Sequence, residues 1–418
     1  MGKYQGYEKY KDSGVNWLGN IPEHWEIKKI QYVGRLKSGE NITSQQIHKE
    51  GLYPVFGGNG LRGYFDFYTH EGHYILIGRQ GALCGNINYA NGKFWASEHA
   101  VVVTCSTNFE VYWFGELLKT MNLNQYSTSA AQPGLSVEQI SRLKIPFPPL
   151  DEQTAIARFL DYKTKQIDDL IAKKEALLEK LDEKRTALIS HAVTKGLDPS
   201  VPMKDSGIEW LGEIPEHWNI LSIKRFSEIY DCKHKTVSFV DDGLPVASIA
   251  QVQNFYIDLS TAKRTTKEEF IDMIEGGREP QYGDIIFSRN ATVGASAIVR
   301  DDVFCMGQDV CLIRAIETDS IFLNYNFRSL FIKAQVDTCL LGSTFKRINV
   351  EEVKNLLVCF PPLEEQKLIF QHLVQKTAEI DQQKAKIQKA IELLKEYRTA
   401  LITNAVTGKI DVRQVPIP

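Results

Sequence analysis

The chain lacks the short motifs that mark the common enzyme classes. It has no G-x-x-x-x-G-K-[ST] phosphate loop, no H-E-x-x-H pair, and no Asn/Asp-Pro-Pro-Tyr/Phe segment, which an adenine methyltransferase is expected to carry. Its seven cysteines form no C-x-x-C pair and no Cys/His cluster with metal-ligand spacing, which favours reduced structural thiols and no metal site. No apolar run approaches the roughly 18 residues that cross a bilayer. We therefore expect no membrane association, no bound cofactor and no catalytic residues in this chain.

The segment GGNGLRG at 57–63 is a false signal for a nucleotide site, because its glycines spell G-x-G-x-x-G. A dinucleotide site needs a helix directly after the glycines, so that the helix N-terminus meets the pyrophosphate. The residues that follow, YFDFYTHEG, are aromatic and typical of a strand. The segment is therefore predicted to be a glycine-rich turn between strands.

What the sequence does contain is one unit written twice. Three segments recur in the same order, namely KDSGVNWLGNIPEHW (11–25) as KDSGIEWLGEIPEHW (204–218), FPPLDEQ (147–153) as FPPLEEQ (360–366), and RTALISHAVT (185–194) as RTALITNAVT (398–407). The text between the copies has diverged, which suggests one scaffold that holds two different recognition domains. The histidine in each PEHW copy, His24 or His217, is predicted to be structural rather than catalytic.

Each copy reads as a mixed part followed by a long helix. Short apolar runs such as YPVF and HAVVV predict strands, and the stretches 110–123 and 320–336 predict helices. The fold class is predicted as α+β, with two mixed α/β domains separated by two long helices that form an antiparallel coiled coil, and with a pseudo-two-fold internal repeat. The predicted boundaries are 1–150 for the first domain, 151–196 for the first long helix, 197–363 for the second domain, 364–408 for the second long helix, and 409–418 for a C-terminal tail that docks near the first domain.

A seven-residue apolar repeat predicts that the two long helices pair. The predicted seam positions are Leu160, Ile167, Leu181 and Leu188 in the first helix and Leu373, Ile380, Ile387, Leu394 and Leu401 in the second. Ile156, Leu170 and Leu177 are assigned to a companion position on the first helix. The alternative, in which each helix packs only on its own domain, is less favoured because an apolar stripe of this length outruns a compact domain.

Polar loops at equivalent places in the two copies are candidates for recognising nucleic acid, since Arg, Lys, Asn, Gln, Ser and Thr contact phosphates and base edges. An offset of 210 relates Arg79-Gln80 to Arg289-Asn290, and Glu98-His99 to Gln308-Asp309. For any single residue, an ordinary polar loop is an equally good explanation. The candidate DNA-binding residues are Asn59, Arg62, Arg79, Gln80, Glu98, His99, Ser129, Gln132, Arg289, Asn290, Gln308, Asp309, Ser343, Thr344, Lys346 and Arg347.

The chain resembles the specificity subunits of Type I restriction–modification systems. The segments that carry this resemblance are WLGNIPEHW, YPVFGGNGLRGY, ILIGRQGALCG, FPPLDEQ with its helix, RTALISHAVTKG, and the second copies. The resemblance implies that each mixed domain is a target recognition domain that reads one half of a split sequence in double-stranded DNA. It implies that the helices set the spacer and dock two methyltransferase subunits, and that restriction subunits join outside. S-adenosylmethionine, ATP and Mg²⁺ would belong to those partners, and the protein would work in a prokaryotic cytoplasm.

Two other hypotheses remain open from the residues. One is an enzyme that methylates or cuts DNA by itself, which the missing motifs disfavour. The other is a coiled-coil adaptor that binds only protein. Charge counts mildly in favour of the adaptor, because residues 197–363 hold 17 Lys and Arg against 24 Asp and Glu. If the second domain binds DNA, Arg289, Lys346 and Arg347 are expected to gather on the DNA face, with the acids elsewhere.

Overall fold

The computed structural model describes residues 4–81, 83–127, 134–341 and 347–417. The chain divides into two compact units. The first unit is Met1–Lys174 together with Lys389–Pro418, and the second unit is Glu175–Gln388. Each unit thus combines one mixed domain with parts of both long helices. Within the described ranges, no helix combines the length and the apolarity needed to span a bilayer.

The first unit is a series of short strands and short helices that leads into a long helix. Its strands are β1 (Tyr10–Asp12), β2 (Asn20–Pro22), β3 (Glu26–Lys29), β4 (Gly34–Ser38), β5 (Tyr53–Gly57), β6 (Gly60–Phe65), β7 (His70–Gly78), β8 (Ile87–Ala96), β9 (Ala100–Cys105) and β10 (Lys144–Phe147). Its helices are α1 (Ile30–Val33), α2 (Val111–Thr120), α3 (Val137–Ser141) and the start of α4 (Leu150–Lys195).

The second unit repeats this order and adds a longer connection. Its strands are β11 (Met203–Asp205), β12 (Glu213–Pro215), β13 (Asn219–Ser222), β14 (Ser227–Asp231), β15 (Phe239–Val240), β16 (Leu244–Ala247), β17 (Lys263–Thr265), β18 (Ile285–Ser288), β19 (Ser296–Ile298), β20 (Cys305–Met306), β21 (Val310–Ala315) and β22 (Leu357–Phe360). Its helices are α5 (Lys267–Ile274), α6 (Ser320–Phe327), α7 (Leu330–Leu340), α8 (Val350–Asn355) and the start of α9 (Leu363–Val406).

The main sheet has the same strand order in both units. In the first unit the order is β4-β9-β7-β8-β5-β6, and in the second it is β14-β21-β18-β19, so the first four positions correspond. The connection between β14 and β18, which is longer than its counterpart between β4 and β7, contributes β15, β16, β17 and α5, and β20, which follows β19, completes the sheet β15-β17-β16-β20. In that sheet β16 pairs antiparallel with β17 and parallel with β20, as β5 pairs with β6 and β8 in the first unit, so the longer connection adds β15 and α5 to a common plan.

The two ends of each mixed domain meet in a short antiparallel ladder. β3 pairs with β10, with Glu26 opposite Phe147, and β13 pairs with β22, with Asn219 opposite Phe360. The residues between these ladders thus form a module whose entry and exit lie side by side. The proline pair after each exit strand then leads directly into a long helix.

Glu152, in the first turn of α4, anchors the repeated PEHW segment of the first unit. Its Oε2 accepts hydrogen bonds from Trp25 Nε1 at 2.9 Å and from the Tyr7 hydroxyl at 3.1 Å, and its Oε1 lies 2.6 Å from His24 Nε2. The Glu152 side chain is 5% exposed, so these donors replace water around a buried carboxylate. Burial and this carboxylate raise the pKa of Tyr7, which therefore remains a donor.

The second unit repeats this anchor at the equivalent residues. Glu365 Oε2 accepts from Trp218 Nε1 at 3.1 Å and lies 2.8 Å from His217 Nε2. The Glu365 side chain is 27% exposed, more than its counterpart. Both histidines thus contact a structural carboxylate at a helix N-terminus.

The long helices run antiparallel to each other within each unit. In the second unit, Lys384 Nζ contacts Asp182, and Arg185 lies 3.5 Å from Asp381. The contacts therefore move forward along α4 while they move backward along α9, as in an antiparallel pair. In the first unit, Arg398 Nε donates to Asp168 at 2.9 Å, and Arg413, beyond the end of α9, lies 3.6 Å from Glu152 at the start of α4. The α+β fold class with a pair of antiparallel long helices is therefore confirmed.

The seam of the helix pair follows the predicted heptad at its main apolar position and departs from it at the companion position. Six of the predicted seam residues are buried, namely Leu160, Ile167, Leu181, Leu373, Ile380 and Leu401. Leu188, Ile387 and Leu394 are half-buried. The companion assignment is wrong for Leu170 and Leu177, which are 43% and 47% exposed. The buried companion positions of α4 are instead held by Ala157, Thr164 and Ile171.

One predicted helix is two helices in the structure. The stretch 320–336 breaks after α6, and Ser329 then accepts a hydrogen bond from Ile332 N as the N-cap of α7. A serine that caps the next helix satisfies a backbone donor that would otherwise have no partner. Apolar residues lie on both sides of the break, so the apolar pattern of the sequence predicted one continuous helix.

Candidate nucleic-acid interface

Three loops of the first unit converge beside the end of β7. Arg79 N donates to His99 O at 2.9 Å, which joins the segment after β7 to the turn between β8 and β9. The hairpin turn between β5 and β6 packs on both, because a Cβ at Gly58 would lie 3.1 Å from His99 O and 3.5 Å from Gln80 O. The structure therefore brings together the loops that carry Asn59, Arg79-Gln80 and Glu98-His99.

A fourth segment joins this cluster from the connection before α3. Leu135 N donates to Arg79 O at 2.9 Å, and Gln80 forms an isolated antiparallel bridge with Gly134. Ser129 and Gln132, the candidates that precede this point, lie outside the described residues. The backbone on either side of Arg79 is thus held by hydrogen bonds to two other loops.

The side chains of the first cluster differ in how far they reach solvent. Gln80 and Arg62 are exposed, whereas Arg79 is half-buried and donates from Nη1 to Ser38 Oγ at 3.2 Å. Asn59 Oδ1 accepts from Asn86 Nδ2 at 3.3 Å. Gln80 and Arg62 can therefore contact a ligand without losing a hydrogen bond within the described residues. Asn59 would have to exchange its hydrogen bond with Asn86 for one with the ligand.

Glu98 and His99 form a pair at the turn between β8 and β9. His99 Nε2 lies 3.0 Å from Glu98 Oε1, and both side chains are partly exposed. Glu98 Oε2 is buried without a hydrogen-bond partner among the described residues. A carboxylate oxygen in that state can accept from an exocyclic amino group or another donor brought by a ligand.

The second unit holds its loops with the same backbone scheme. Arg289 N donates to Asp309 O at 2.8 Å, and Ile348 N donates to Arg289 O at 3.0 Å. Asn290 forms an isolated antiparallel bridge with Arg347. These three contacts correspond one by one to those around Arg79 in the first unit. The structure therefore places both predicted loop sets in one common arrangement.

Arg289 does not lie on an exposed face, contrary to the expectation from sequence. It is 2% exposed, and its Nη2 donates to Asp231 Oδ1 at 2.5 Å and to Cys232 Sγ at 3.6 Å. Asp231 aligns with Ser38 in the first unit, so the corresponding arginine, Arg79, meets a neutral partner and remains half-exposed. The Asp231 side chain is 32% exposed, but the Arg289 side chain is only 3% exposed. The ion pair therefore holds Arg289 beneath the loop, where the side chain cannot reach DNA.

The other candidates of the second cluster have local partners. Gln308 is exposed and donates from Nε2 to Thr236 Oγ1 at 2.8 Å. Arg347 lies 3.6 Å from Asp309 and its side chain is 44% exposed. Asn290 is half-buried and accepts from Ala291 N at 2.8 Å. Ser343, Thr344 and Lys346 lie outside the described residues.

Two lysines that sequence reasoning missed lie beside Gln308. Lys235 and Lys263 line a cavity of about 430 Å³ together with Gln308 and Asp309. Both lysines come from the connection between β14 and β18, which is longer than its counterpart in the first unit, so equivalence between the copies could not find them. They bring positive charge to a unit whose net charge is negative, and Lys263 also lies 4.6 Å above the Phe239 ring.

Comparison with known proteins agrees with this duplicated architecture. The family model described as the Type I restriction modification DNA specificity domain matches residues 22–180 and again residues 215–393. The EcoprrI specificity subunit of Escherichia coli is 42% identical over 159 residues, which are 37% of this chain and 39% of that protein, so the match spans about two fifths of that relative. The MjaVIII specificity subunit of Methanocaldococcus jannaschii is 24% identical over 94% of this chain and 95% of that one.

Solved structures share the fold at low sequence identity. A chain from work on complex assembly and conformational transition of the type I R-M system has a TM-score of 0.70 and 15% identity, covering 92% of this chain and 98% of that chain. The HsdS subunit from Thermoanaerobacter tengcongensis has a TM-score of 0.52 and 16% identity, covering 93% and 98%. Because the family model matches both copies of the repeat, the chain belongs to the Type I restriction modification DNA specificity family, whose members are specificity subunits of type I systems.

Proposed function

We propose that this chain is the non-catalytic, sequence-specific DNA-binding subunit of a type I restriction–modification enzyme. Each mixed domain would read one half of a bipartite target through its loop cluster. The observation that carries this proposal is the shared backbone scheme around Arg79 and Arg289, which presents different side chains in the two units. One frame with two sets of exposed groups suits a protein that reads two different half-sites.

The chemistry of each cluster suits double-stranded DNA. Exposed cations such as Arg62, Lys235 and Arg347 would contact phosphates and make binding dependent on salt. Exposed amides such as Gln80 and Gln308 would read base edges, and a good bidentate pair contributes about 1–3 kcal/mol of discrimination. Arg289 would act from beneath, because its ion pair fixes the loop that carries Asn290.

The mixed domains would act as exchangeable modules. Since β3 and β10 close the first domain at Glu26 and Phe147, replacing residues 26–146 by those of a homologous chain leaves Trp25 and Glu152 in place. We expect that the exchange changes one half-site of the target and leaves the other unchanged, as read by sequencing of methylated genomic sites. A change in both half-sites would contradict independent reading.

The long helices would set the spacer between half-sites. A helix advances about 1.5 Å per residue and B-DNA about 3.4 Å per base pair, so one heptad corresponds to roughly three base pairs. Inserting one heptad after Lys174 and another after Gln388 keeps the register of the seam and should lengthen the preferred spacer. Inserting seven glycine and serine residues at the same points is the matched control. An unchanged spacer with the helical insertion would contradict the ruler.

Partner subunits would supply the reaction. Leu170 and Leu177 on α4 and Leu393 on α9 are apolar and exposed, which suits docking of two methyltransferase subunits on the helices. Those subunits would bring S-adenosylmethionine, and restriction subunits would bring ATP and Mg²⁺. Purified chain without partners should transfer no methyl group, and measurable transfer would overturn the non-catalytic assignment.

The competing candidate is a coiled-coil adaptor that binds only protein. The negative charge of residues 197–363 is the observation that favours it. Footprinting of the complex with its methyltransferase subunits separates the two, because DNA reading predicts protection of two short sequences with an unprotected spacer. A complex that assembles but protects no DNA at low salt would support the adaptor.

A further inference from the structure

Four consecutive residues, 231–234, bring three different metal-binding groups together at the end of β14. Asp231, Cys232 and His234 each offer one ligand atom, and these atoms lie within 4.8 Å of one another. His234 Nε2 lies 3.0 Å from Asp231 Oδ2, and its Nδ1 lies 3.7 Å from Cys232 Sγ. The sequence D-C-K-H has no recognised metal-ligand spacing, so the pattern alone predicts no metal.

We propose that Asp231, Cys232 and His234 form a Zn²⁺ site in the second unit. Thiolate, imidazole and carboxylate together are a ligand set that zinc accepts, at bond lengths of about 2.0–2.3 Å. The two contacts above use opposite nitrogens of His234, and a single ion takes only one of them. Neighbouring ligand atoms in a tetrahedral centre are separated by about 3.3–3.7 Å, so binding would draw together three ligand atoms that now lie within 4.8 Å of one another. Three protein ligands leave the fourth position to water.

The backbone and the surroundings hold these three groups close to one another. His234 adopts a left-handed backbone with φ 53°, which folds its ring back over the preceding residues. Arg289 Nη2 donates to Asp231 Oδ1, which leaves Oδ2 for the cluster, and it also donates to Cys232 Sγ at 3.6 Å, a contact that zinc would replace. A hydrogen bond that orients a ligating carboxylate in this way is typical of the outer shell of metal sites. Cys232 is 3% exposed, which shields its sulfur from solvent.

Charge sets the conditions for binding. Asp231 and a Cys232 thiolate together neutralise Zn²⁺, and the nearby Lys233 is already paired with Asp272 and Glu275. Arg289 adds one positive charge beside the site, which opposes the binding of a second cation. Without metal, the same groups remain a hydrogen-bonded chain from cysteine through histidine and aspartate to arginine.

The first unit provides an internal comparison. Its residues at the aligned positions are Ser38, Gly39, Glu40 and Asn41, which offer neither thiolate nor imidazole. At these aligned positions the ligand set therefore occurs in the second unit alone. Because Arg289 also holds the loop that carries Asn290, bound zinc would tie the end of β14 to the candidate interface, although the metal proposal does not depend on DNA binding.

Titration of the purified full-length chain with Co²⁺ tests the proposal. We expect one equivalent to give a thiolate-to-cobalt charge-transfer band and the intense visible bands of a four-coordinate ion, and Zn²⁺ to abolish both. Cys232→Ser should remove the charge-transfer band, whereas Cys339→Ser, at another free cysteine outside the cluster, should leave it unchanged.

His234→Asn is the second variant, because asparagine tolerates the left-handed backbone but binds zinc poorly. It should weaken Zn²⁺ binding at least tenfold in competition with a chromogenic chelator, while the thermal unfolding midpoint without metal stays within a few degrees. Absence of a charge-transfer band in the unmodified chain would overturn the proposal. So would a band that survives Cys232→Ser, or Zn²⁺ affinity that His234→Asn leaves unchanged.

Discussion

The two glutamates at the starts of the long helices allow a test within a single chain, because they hold equivalent anchors at different burial. Glu152→Ala removes the acceptor of the Trp25 indole and the Tyr7 hydroxyl, and the contact with His24. Hydrogen bonds to a charged group contribute about 1.5–3 kcal/mol each, and a buried donor left without a partner costs about 1–3 kcal/mol. With Trp25 fully buried, we expect Glu152→Ala to lower the free energy of unfolding of the first unit by about 4 kcal/mol.

Glu365→Ala is the matched change in the second unit. Glu365 has two anchor contacts instead of three, and its side chain is 27% exposed against 5% for Glu152. Water can therefore replace part of what the substitution removes. We expect a loss of about 2 kcal/mol in the second unit, half of the effect in the first.

The measurement has to resolve the two units, since a chain of two units need not unfold in one step. Urea unfolding followed by hydrogen exchange and mass spectrometry assigns a midpoint to peptides of each unit. Glu152→Gln, which keeps the volume and one carbonyl oxygen, should fall between the wild type and Glu152→Ala. Equal losses for the two alanine variants, or a larger loss for Glu365→Ala, would refute the reasoning from burial.

Three further predictions follow from single side chains. Ile391 is 2% exposed, so Ile391→Ala should lower the free energy of unfolding by about 2–4 kcal/mol. Leu393 is 54% exposed, so Leu393→Ala should change that free energy by less than about 0.5 kcal/mol. Similar urea midpoints for the two variants would contradict the register of the seam. The hydrogen bond from Arg413 lowers the pKa of Asp411, so the stability from this pair is present above the unfolded-state pKa of about 4 and is lost as the pH falls through the lower folded-state pKa. Asp411→Asn should lack that part of the acid destabilisation in a pH titration of the unfolding midpoint. If Arg62 contacts a phosphate, Arg62→Ala should reduce the slope of log K against log salt by about 0.9, and an unchanged slope would remove Arg62 from the interface.

The sequence predicted the fold because its strongest signals are long and repeated. The seven-residue apolar period recurs along two helices, so many residues together indicate that these helices pair. The three duplicated segments occur in the same order, which indicates two copies of one unit. The period fails at the companion position, because apolar character alone led to Leu170 and Leu177. The buried companions include Thr164, whose hydroxyl donates to Leu160 O at 2.8 Å, and a polar residue that satisfies itself within its own helix leaves no apolar signal.

The candidate interface was predictable as loops but not as side chains. Equivalence between the copies identified Arg79 and Arg289 together, and their backbone groups make equivalent hydrogen bonds in the two units. Their side chains differ because Asp231 replaces Ser38, 58 residues before Arg289 in sequence, and no local pattern connects such partners. Lys235 and Lys263 were missed for a related reason, since the connection that carries them differs in length between the copies and offers no aligned sequence.

The duplicated residues hold the same frame in both units. Lys195 Nζ donates to the carbonyls of Leu211 and Glu213, and Lys409 Nζ makes the same two contacts with Leu18 and Asn20. In each unit a lysine at or just beyond the end of a long helix thus clamps the repeated hairpin, although in the second unit that helix is α4 and in the first it is α9. Identity between the copies is therefore a guide to the scaffold, because both halves must form the same contacts. Positions that differ between the copies while sharing a backbone scheme, such as Gln80 and Asn290, are where a change of recognition can occur without a change of fold.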